Sequence, residues 1–313
     1  MKKRTLVTAI GSMSAENVLF HLKKAGHYVV GCDIYPGNWH SETKLCDQFY
    51  QAPFATSKDY IPFLIDLCKK EDVRFILPLT DLEIDFLNLN RKIFKDNGIL
   101  LCIQTSEVLD IARNKFRLYE TFRNDPKIPT IKTCLLSNPD KEISFPCIAK
   151  PYNGRSSEGL IRNASREQVL NIPNKKDYIL QEQIVGDIFT VDYCRSSKTG
   201  AECIVPRKEL LRTKNGAGLT IQISTANRLF LQTSHIGKRL NINGCVNIEY
   251  IFNGYDYFLI DINPRFSAGI AFSSMMGYDF VNNHIRCFIH EQIEPQIDLK
   301  EKIIVKKYKE EFT

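Results

Sequence analysis

The sequence predicts an α/β module followed by an α+β region, and three observations carry that reading. Strand-like and helix-like runs alternate through roughly the first hundred residues, as in an open sheet with crossover helices. The prolines of Asp125-Pro126 and Ile128-Pro129 then mark a boundary, since a residue before proline is pushed out of the helical region. Beyond a polar, glycine-bearing loop at 150–159 the pattern becomes largely antiparallel.

Taken in order, residues 5–10 read as a buried strand and Gly11-Ser-Met-Ser14 as a small-residue turn. Val18, Leu19 and Leu22 give the next segment the apolar face of a helix, which Gly26 closes. A strand at 28–32 ends at Asp33, and 35–38 form a loop. Asp59 is placed to cap a helix carrying Phe63, Leu64 and Leu67; a strand at 75–77, a helix at 82–95 and a strand at 99–103 follow. Right-handed crossovers would put the strand-to-helix turns on one edge of this sheet. An aspartate after a strand suits a dinucleotide ribose, but Gly11 alone stands where a G-x-G-x-x-G loop needs three glycines. The expected role is therefore structural or substrate-facing.

Ser106 is expected to cap one helix running to about Arg123, with Val108, Leu109, Ala112, Phe116 and Leu118 near its buried side. Short strands at 130–134 and 147–150 come next, and 300–310 reads as a charged helix or tail.

Composition narrows the function classes. With 313 residues, 43% hydrophobic and 25% charged, the chain has the make-up of a globular protein of two or three modules. Its net charge of +6 is spread along the sequence, which favours an anionic small ligand over nucleic acid. The ten cysteines include no Cys-x-x-Cys pair and many lie in apolar runs, as expected of free thiols in a reducing cytoplasm. No apolar run approaches the length of a membrane span, so a soluble protein without membrane or nucleic-acid partners is expected.

The chemistry concentrates near Tyr257-Phe-Leu-Ile-Asp-Ile-Asn-Pro-Arg265. Asp261 and Asn263, two residues apart in a strand, project from one face. Glu249 lies in the preceding strand across the turn signal Asn253-Gly254, so hairpin pairing would bring it alongside. Two carboxylates and an amide oxygen suit Mg²⁺. Pro264 should end the strand and leave Arg265 at its tip, placed to meet a phosphoryl group. Taken singly, each residue also suits a hairpin facing water; the grouping is what that reading leaves unexplained. Upstream, Ala149-Lys-Pro-Tyr-Asn-Gly-Arg-Ser-Ser-Glu-Gly159 offers a lysine leaving a strand and accessible backbone N–H groups. Ile179-Leu-Gln-Glu-Gln-Ile-Val-Gly-Asp places polar residues between apolar strand ends, suited to a hinge whose backbone reads an adenine edge. Asp81 and Glu83 are candidates to face an amine, and Arg212, Lys214 and Gly216-Ala-Gly218 to meet a carboxylate.

In this order the motifs resemble the ATP-grasp superfamily, specifically the short proteins similar to the large subunit of carbamoyl-phosphate synthase, over nearly the whole chain. The resemblance implies a Rossmann-like pre-ATP-grasp domain over 1–105, a linker helix and small lobe over 106–185, and a large lobe with a tail over 186–313. It implies ATP with Mg²⁺ or Mn²⁺: Lys115 and Lys150 on the phosphates, Ser156, Ser157 and Gly159 in the loop covering them, and Glu182 and Ile184 at the adenine. Glu249, Asp261 and Asn263 would hold the metal, with Arg265 on the transferring phosphoryl group and Arg207 pointing at the reaction centre. The chain departs from the pattern twice. Ile188 stands where a ribose-binding glutamate is usual, leaving Asp187 as the local substitute, and Asp261 replaces a glutamate in the Glu-x-Asn-Pro-Arg pattern. The implied activity is an ADP-forming carboxylate–amine ligase acting through an acyl-phosphate on small molecules, compatible with a homodimer. A bicarbonate-phosphorylating enzyme and a nucleotide-binding protein without turnover are the alternatives.

Overall fold

The computed structural model describes residues 3–139, 143–154 and 158–312. The apolar run β1 (Arg4–Thr8) is central to a five-stranded parallel sheet, where both of its faces are covered and Thr5 to Thr8 lose all exposure. The chain continues through α1 (Ala15–Lys24), β2 (Tyr28–Asp33), β3 (Gln48–Gln51), α2 (Tyr60–Lys70), β4 (Phe75–Leu77), α3 (Asp81–Leu89), α4 (Arg91–Asp96) and β5 (Leu100–Leu101). Strand order is β3-β2-β1-β4-β5, and all four pairings are parallel. The order reverses at β1, so the loops after β1 and β4 open a crevice at the carboxyl edge of the sheet. Gly11 stands in the first of those turns, and Asp81 opens the helix after the second.

The expected helix at 82–95 is broken at Asn90, whose Nδ2 turns back to donate to the Phe86 carbonyl at 2.8 Å. The expected helix at 106–123 is likewise two helices, α5 (Ser106–Ala112) and α6 (Lys115–Phe122). Thr105, not Ser106, caps the first by accepting from Val108 N; the Ser106 hydroxyl donates to Asn88 Oδ1 instead. Asn114 accepts from both Phe116 N and Arg117 N at 3.0 Å, which starts the second helix and fixes Lys115 in its first turn.

Next comes a four-stranded antiparallel sheet in the order β6-β9-β7-β8, built from β6 (Thr133–Leu135), β7 (Cys147–Pro151), β8 (Ile161–Ala164), α7 (Arg166–Leu170) and β9 (Tyr178–Gln181). The remainder forms a six-stranded antiparallel sheet from β10 (Asp187–Arg195), β11 (Glu202–Arg212), β12 (Gly218–Ile223), β13 (Gly244–Phe252), β14 (Tyr257–Asn263) and β15 (Ile303–Val305). Its order is β14-β13-β10-β11-β12-β15, with α8 (Asn227–Arg239), α9 (Ile270–Ser274) and α10 (Phe280–Phe288) packed on it. The expected charged helix or tail at 300–310 contains β15, because Ile303 and Val305 pair with Gln222 and Thr220 and extend the sheet.

Two cores position the site. Val18, Leu19 and Leu22 of α1 share one apolar cluster with Cys203, Val205, Ile221 and the α10 residues Phe280, Val281 and Ile285. The parallel sheet is thereby fixed to one face of the six-stranded sheet. The other face packs α5, α6 and α8 through Val108, Phe122, Leu229 and Ile236. The ten cysteines form no disulfide and nine are buried. Among the described residues, no helix is long and apolar enough to cross a membrane.

Candidate functional site

The hairpin joining β13 to β14 turns at Asn253, whose Oδ1 accepts from Tyr255 N and Asp256 N. Its register places Glu249 opposite Asp261 and Asn247 opposite Asn263. The two carboxylates and the amide expected to converge therefore line one cavity of about 670 Å³, between the four-stranded and the six-stranded sheets. Lys115 Nζ lies 3.0 Å from Asp261 Oδ2, and Arg212 Nη2 lies 3.3 Å from Glu249 Oε2. Each carboxylate thus already gathers positive charge.

Lys150 rises from β7 into the same cavity with 9% exposure, and its Nζ donates to Gln181 Oε1 at 2.9 Å. Burial, reinforced by the neighbouring Lys115, pushes its proton affinity down to about 8 against the pull of Asp261 and Glu249. Lys115 is fixed from both ends: its backbone N donates to the Tyr152 carbonyl at 2.8 Å, and its Nζ to the Gly154 carbonyl at 3.0 Å. Glu182 and Ile184 line the wall beyond β9, and Glu182 N donates to the Lys132 carbonyl.

Arg265 stands at the strand tip. It donates to the Phe266 carbonyl at 3.1 Å, to Asn263 Oδ1 at 3.4 Å and to Asp81 Oδ2 at 3.1 Å. Burial would raise the Asp81 carboxyl, yet Arg265 and Arg113 outweigh it and hold the group below the ordinary aspartate range. Asp81, considered from sequence as an amine-facing residue, is an interdomain ion-pair partner. Glu83 also does not face the cavity; it accepts from the Tyr60 and Thr80 hydroxyls at 2.9 and 2.7 Å.

Arg207 borders the cavity but is 1% exposed, and its guanidinium is already engaged by Asp192, Glu209, Ser267 and Ser273. Burial alone would lower its proton affinity, but the two carboxylates raise it. Such a group shapes the wall and its field with most of its donors already committed. Arg212 donates to the Gly216 carbonyl at 2.7 Å, and with Lys214 and Gly218 it lines the rim.

Two further placements differ from expectation. Asp187 points away from the cavity because side chains alternate along β10: Ile188 lines it, while Asp187 pairs with Lys208 at 2.7 Å. Gly159 belongs to an adjoining cavity of about 880 Å³ with Asp85, Arg117 and Tyr178. Ser156 and Ser157 lie outside the described residues. Asp33 is committed internally, accepting from Gly11 N at 2.9 Å and Tyr35 N at 3.1 Å. Asp192, Asn247 and Glu209 also shape this site, although none of the sequence motifs includes them. For Asp192 and Asn247 the signal is a polar residue inside a largely apolar strand, as in Cys245-Val-Asn-Ile248.

The donor set fits a hard divalent cation. Two carboxylates and an amide oxygen suit magnesium when phosphate and water complete the shell. Among the described residues, no group of three or more His, Cys, Asp or Glu forms an all-protein cage.

Comparison with known proteins agrees with this architecture. Residues 6–102 match the family described as PylC-like, N-terminal domain, and residues 174–311 match ATP-grasp in the biosynthetic pathway with Ter operon. The carbamoyl phosphate synthase large chain of Clostridium acetobutylicum is 22% identical over 60% of this chain, which spans 19% of that relative's length. Among solved structures, the biotin carboxylase domain of the Hydrogenobacter thermophilus 2-oxoglutarate carboxylase, in complex with MgADP, ADP and bicarbonate, superposes with a TM-score of 0.78. It is 18% identical, over 95% of this chain and 72% of that one. The N5-carboxyaminoimidazole synthetase of Staphylococcus aureus, complexed with ADP, gives 0.77 at 12% identity over 97% and 83%. Identity this low speaks to fold alone. The family matches thus assign residues 6–102 to a PylC-like N-terminal domain and residues 174–311 to an ATP-grasp region, in a chain similar to the carbamoyl phosphate synthase large chain.

Proposed function

We propose that this protein is an ATP-dependent carboxylate–amine ligase that forms an acyl-phosphate and then an amide, releasing ADP and phosphate. The observation that carries the reading is the convergence of Lys115, Lys150, Glu249, Asp261, Asn263 and Arg265 on one cavity. Strands of the two antiparallel sheets form most of its boundary, and in this reading those sheets are the two lobes of a clamp. In this reading Lys115 and Lys150 hold the nucleotide phosphates, while Glu182 and Ile184 flank the adenine. Glu249, Asp261 and Asn263 hold Mg²⁺, which supplies charge neutralisation at the phosphates when bound.

The reaction follows from position and charge. A carboxylate oxygen of the acid attacks the γ-phosphorus, the bond to the β,γ-bridging oxygen breaks, and ADP leaves. Arg265 lies beside the metal ligand Asn263 and faces the charge that develops on the transferring group. An amine nitrogen then attacks the acyl carbon; phosphate departs and the nitrogen loses a proton. Closure of the lobes keeps water from the intermediate. Arg212 and Lys214, at the rim, receive the acid.

Bicarbonate as the phosphorylated acid is the second reading, favoured by the carbamoyl phosphate synthase and biotin carboxylase relatives. Nine buried thiols without a disulfide fit a reducing, cytoplasmic setting. The test is a screen of carboxylic acids, bicarbonate and amines for stimulated ADP release, followed by mass spectrometry of the product. Stimulation by an acid together with an amine supports the ligase; stimulation by bicarbonate alone supports the second reading. MgATP binding without turnover on any combination contradicts both.

A further inference from the structure

Strand β9 is apolar until its last residue, Gln181, which is 7% exposed and central in the small-lobe sheet, paired with Thr133 on one side and Ile148 on the other. Its Nε2 donates to Thr133 Oγ1 at 2.9 Å, and the Thr133 hydroxyl donates to the Ile131 carbonyl at 2.8 Å. The directions in this relay are forced. Thr133 has one proton, and it is engaged by Ile131, so its oxygen accepts from the amide. Gln181 must then present its NH₂ to Thr133 and its carbonyl oxygen to Lys150, 2.9 Å away.

We propose that Gln181 is the positioning residue of Lys150, its carbonyl aiming the ammonium at the nucleotide phosphates while leaving the charge uncompensated. The inference rests on the reading of Lys150 as a phosphate-binding group. A carboxylate at position 181 would hold the nitrogen equally well but oppose its charge. An apolar side chain would release the ammonium toward Asp261 and Glu249, whose fields already reach it. Glutamine holds without neutralising, and the relay through Thr133 lets a buried amide keep one orientation.

Calorimetric titration with MgADP at pH 7 tests this, with thermal unfolding measured on each variant. Gln181→Leu and Gln181→Glu are each expected to weaken MgADP binding about tenfold. Thr133→Val, which only unanchors the amide, should weaken it about threefold. In a Lys150→Met background Gln181→Leu should have no further effect, because a positioning residue acts only through the group it positions. Should Gln181→Leu not fold, Thr133→Val and Gln181→Glu carry the test. Wild-type affinity in the Gln181 variants alongside weak binding by Lys150→Met overturns the proposal. So does an undiminished Gln181→Leu loss in the Lys150→Met background, the mark of a merely structural role. Wild-type affinity in Lys150→Met itself refutes the phosphate reading and the proposal with it, so the two failures are read apart.

Discussion

Asp81, in the first turn of α3, and Arg265, just past β14, hold each other at 3.1 Å across the junction between the parallel sheet and the six-stranded sheet. They are 184 positions apart in sequence. Asp81 is 5% exposed and lies 3.7 Å from Arg113 as well, so one buried carboxylate sits between two guanidinium groups. The N-terminal domain thereby fixes the arginine assigned to the transferring phosphoryl group.

Asp81→Asn should remove that hold. Turnover is expected to fall roughly tenfold to a hundredfold, because a small displacement of a catalytic charge carries such a cost. MgADP affinity should change little. Breaking the buried pair should also lower stability by about 3 kcal/mol. The folded carboxyl lies below its ordinary range, so its contribution is present at neutral pH and is lost as pH falls through the folded value. Urea unfolding should therefore show a gap between wild type and variant that is constant near neutrality and closes only in acid.

Lys150 gives a dependence on the alkaline side. In the free protein it loses its proton near 8, so MgADP affinity should be flat below about pH 7 and decline several-fold by about pH 9. Between about 8 and the ordinary lysine value near 10.4, the unfolded chain binds the extra proton. Stability should consequently rise with pH in that window relative to Lys150→Met, as thermal unfolding in parallel buffers will show.

Asn263→Ala and Glu249→Gln each remove an oxygen donor from the proposed metal set. Each is expected to lower magnesium-dependent turnover by about a hundredfold or more. Added Mg²⁺ should partly restore Glu249→Gln, which keeps a neutral oxygen. Magnesium titrations of ADP release at saturating nucleotide measure both effects.

Gly186 tests the hinge between the lobes. A Cβ there would run into the Phe252 carbonyl oxygen, which is backbone and has little room to yield. Gly186→Ala should cost about 2 kcal/mol in stability, read as a lower unfolding midpoint, by forcing the start of β10 away from β13.

How much of this was legible in the chain depends on the range of the interaction. The Asn253-Gly254 turn and the two-residue spacing of Asp261 and Asn263 are local, and they predicted the hairpin whose register pairs Asp261 with Glu249. The alternation of strands and helices likewise foretold the parallel sheet. The helix break at Arg113-Asn114 was missed because apolar periodicity continues across it, while the deciding event is the capping bond of Asn114. β15 was hidden by its charged surroundings, since its pairing depends on β12, some eighty residues earlier. Asp187 is the local substitute for the glutamate that the resemblance implies at Ile188, but alternation along β10 turns it outward toward Lys208. Arg207 was recognised as a basic residue near the centre; its buried partners Asp192 and Ser273 come from β10 and α9, and no spacing in the sequence announces them.

The central claim is transfer of a phosphoryl group from ATP to a carboxylate oxygen at the cavity of Lys150 and Arg265. The most direct measurement incubates the enzyme with MgATP, the amine and the acid found by the ADP-release screen, the acid carrying heavy oxygen in its carboxylate. Analysis of the released phosphate by mass spectrometry should find one heavy oxygen in each phosphate formed, with formation suppressed in Arg265→Ala. Phosphate free of the label, formed together with amide, would contradict the account.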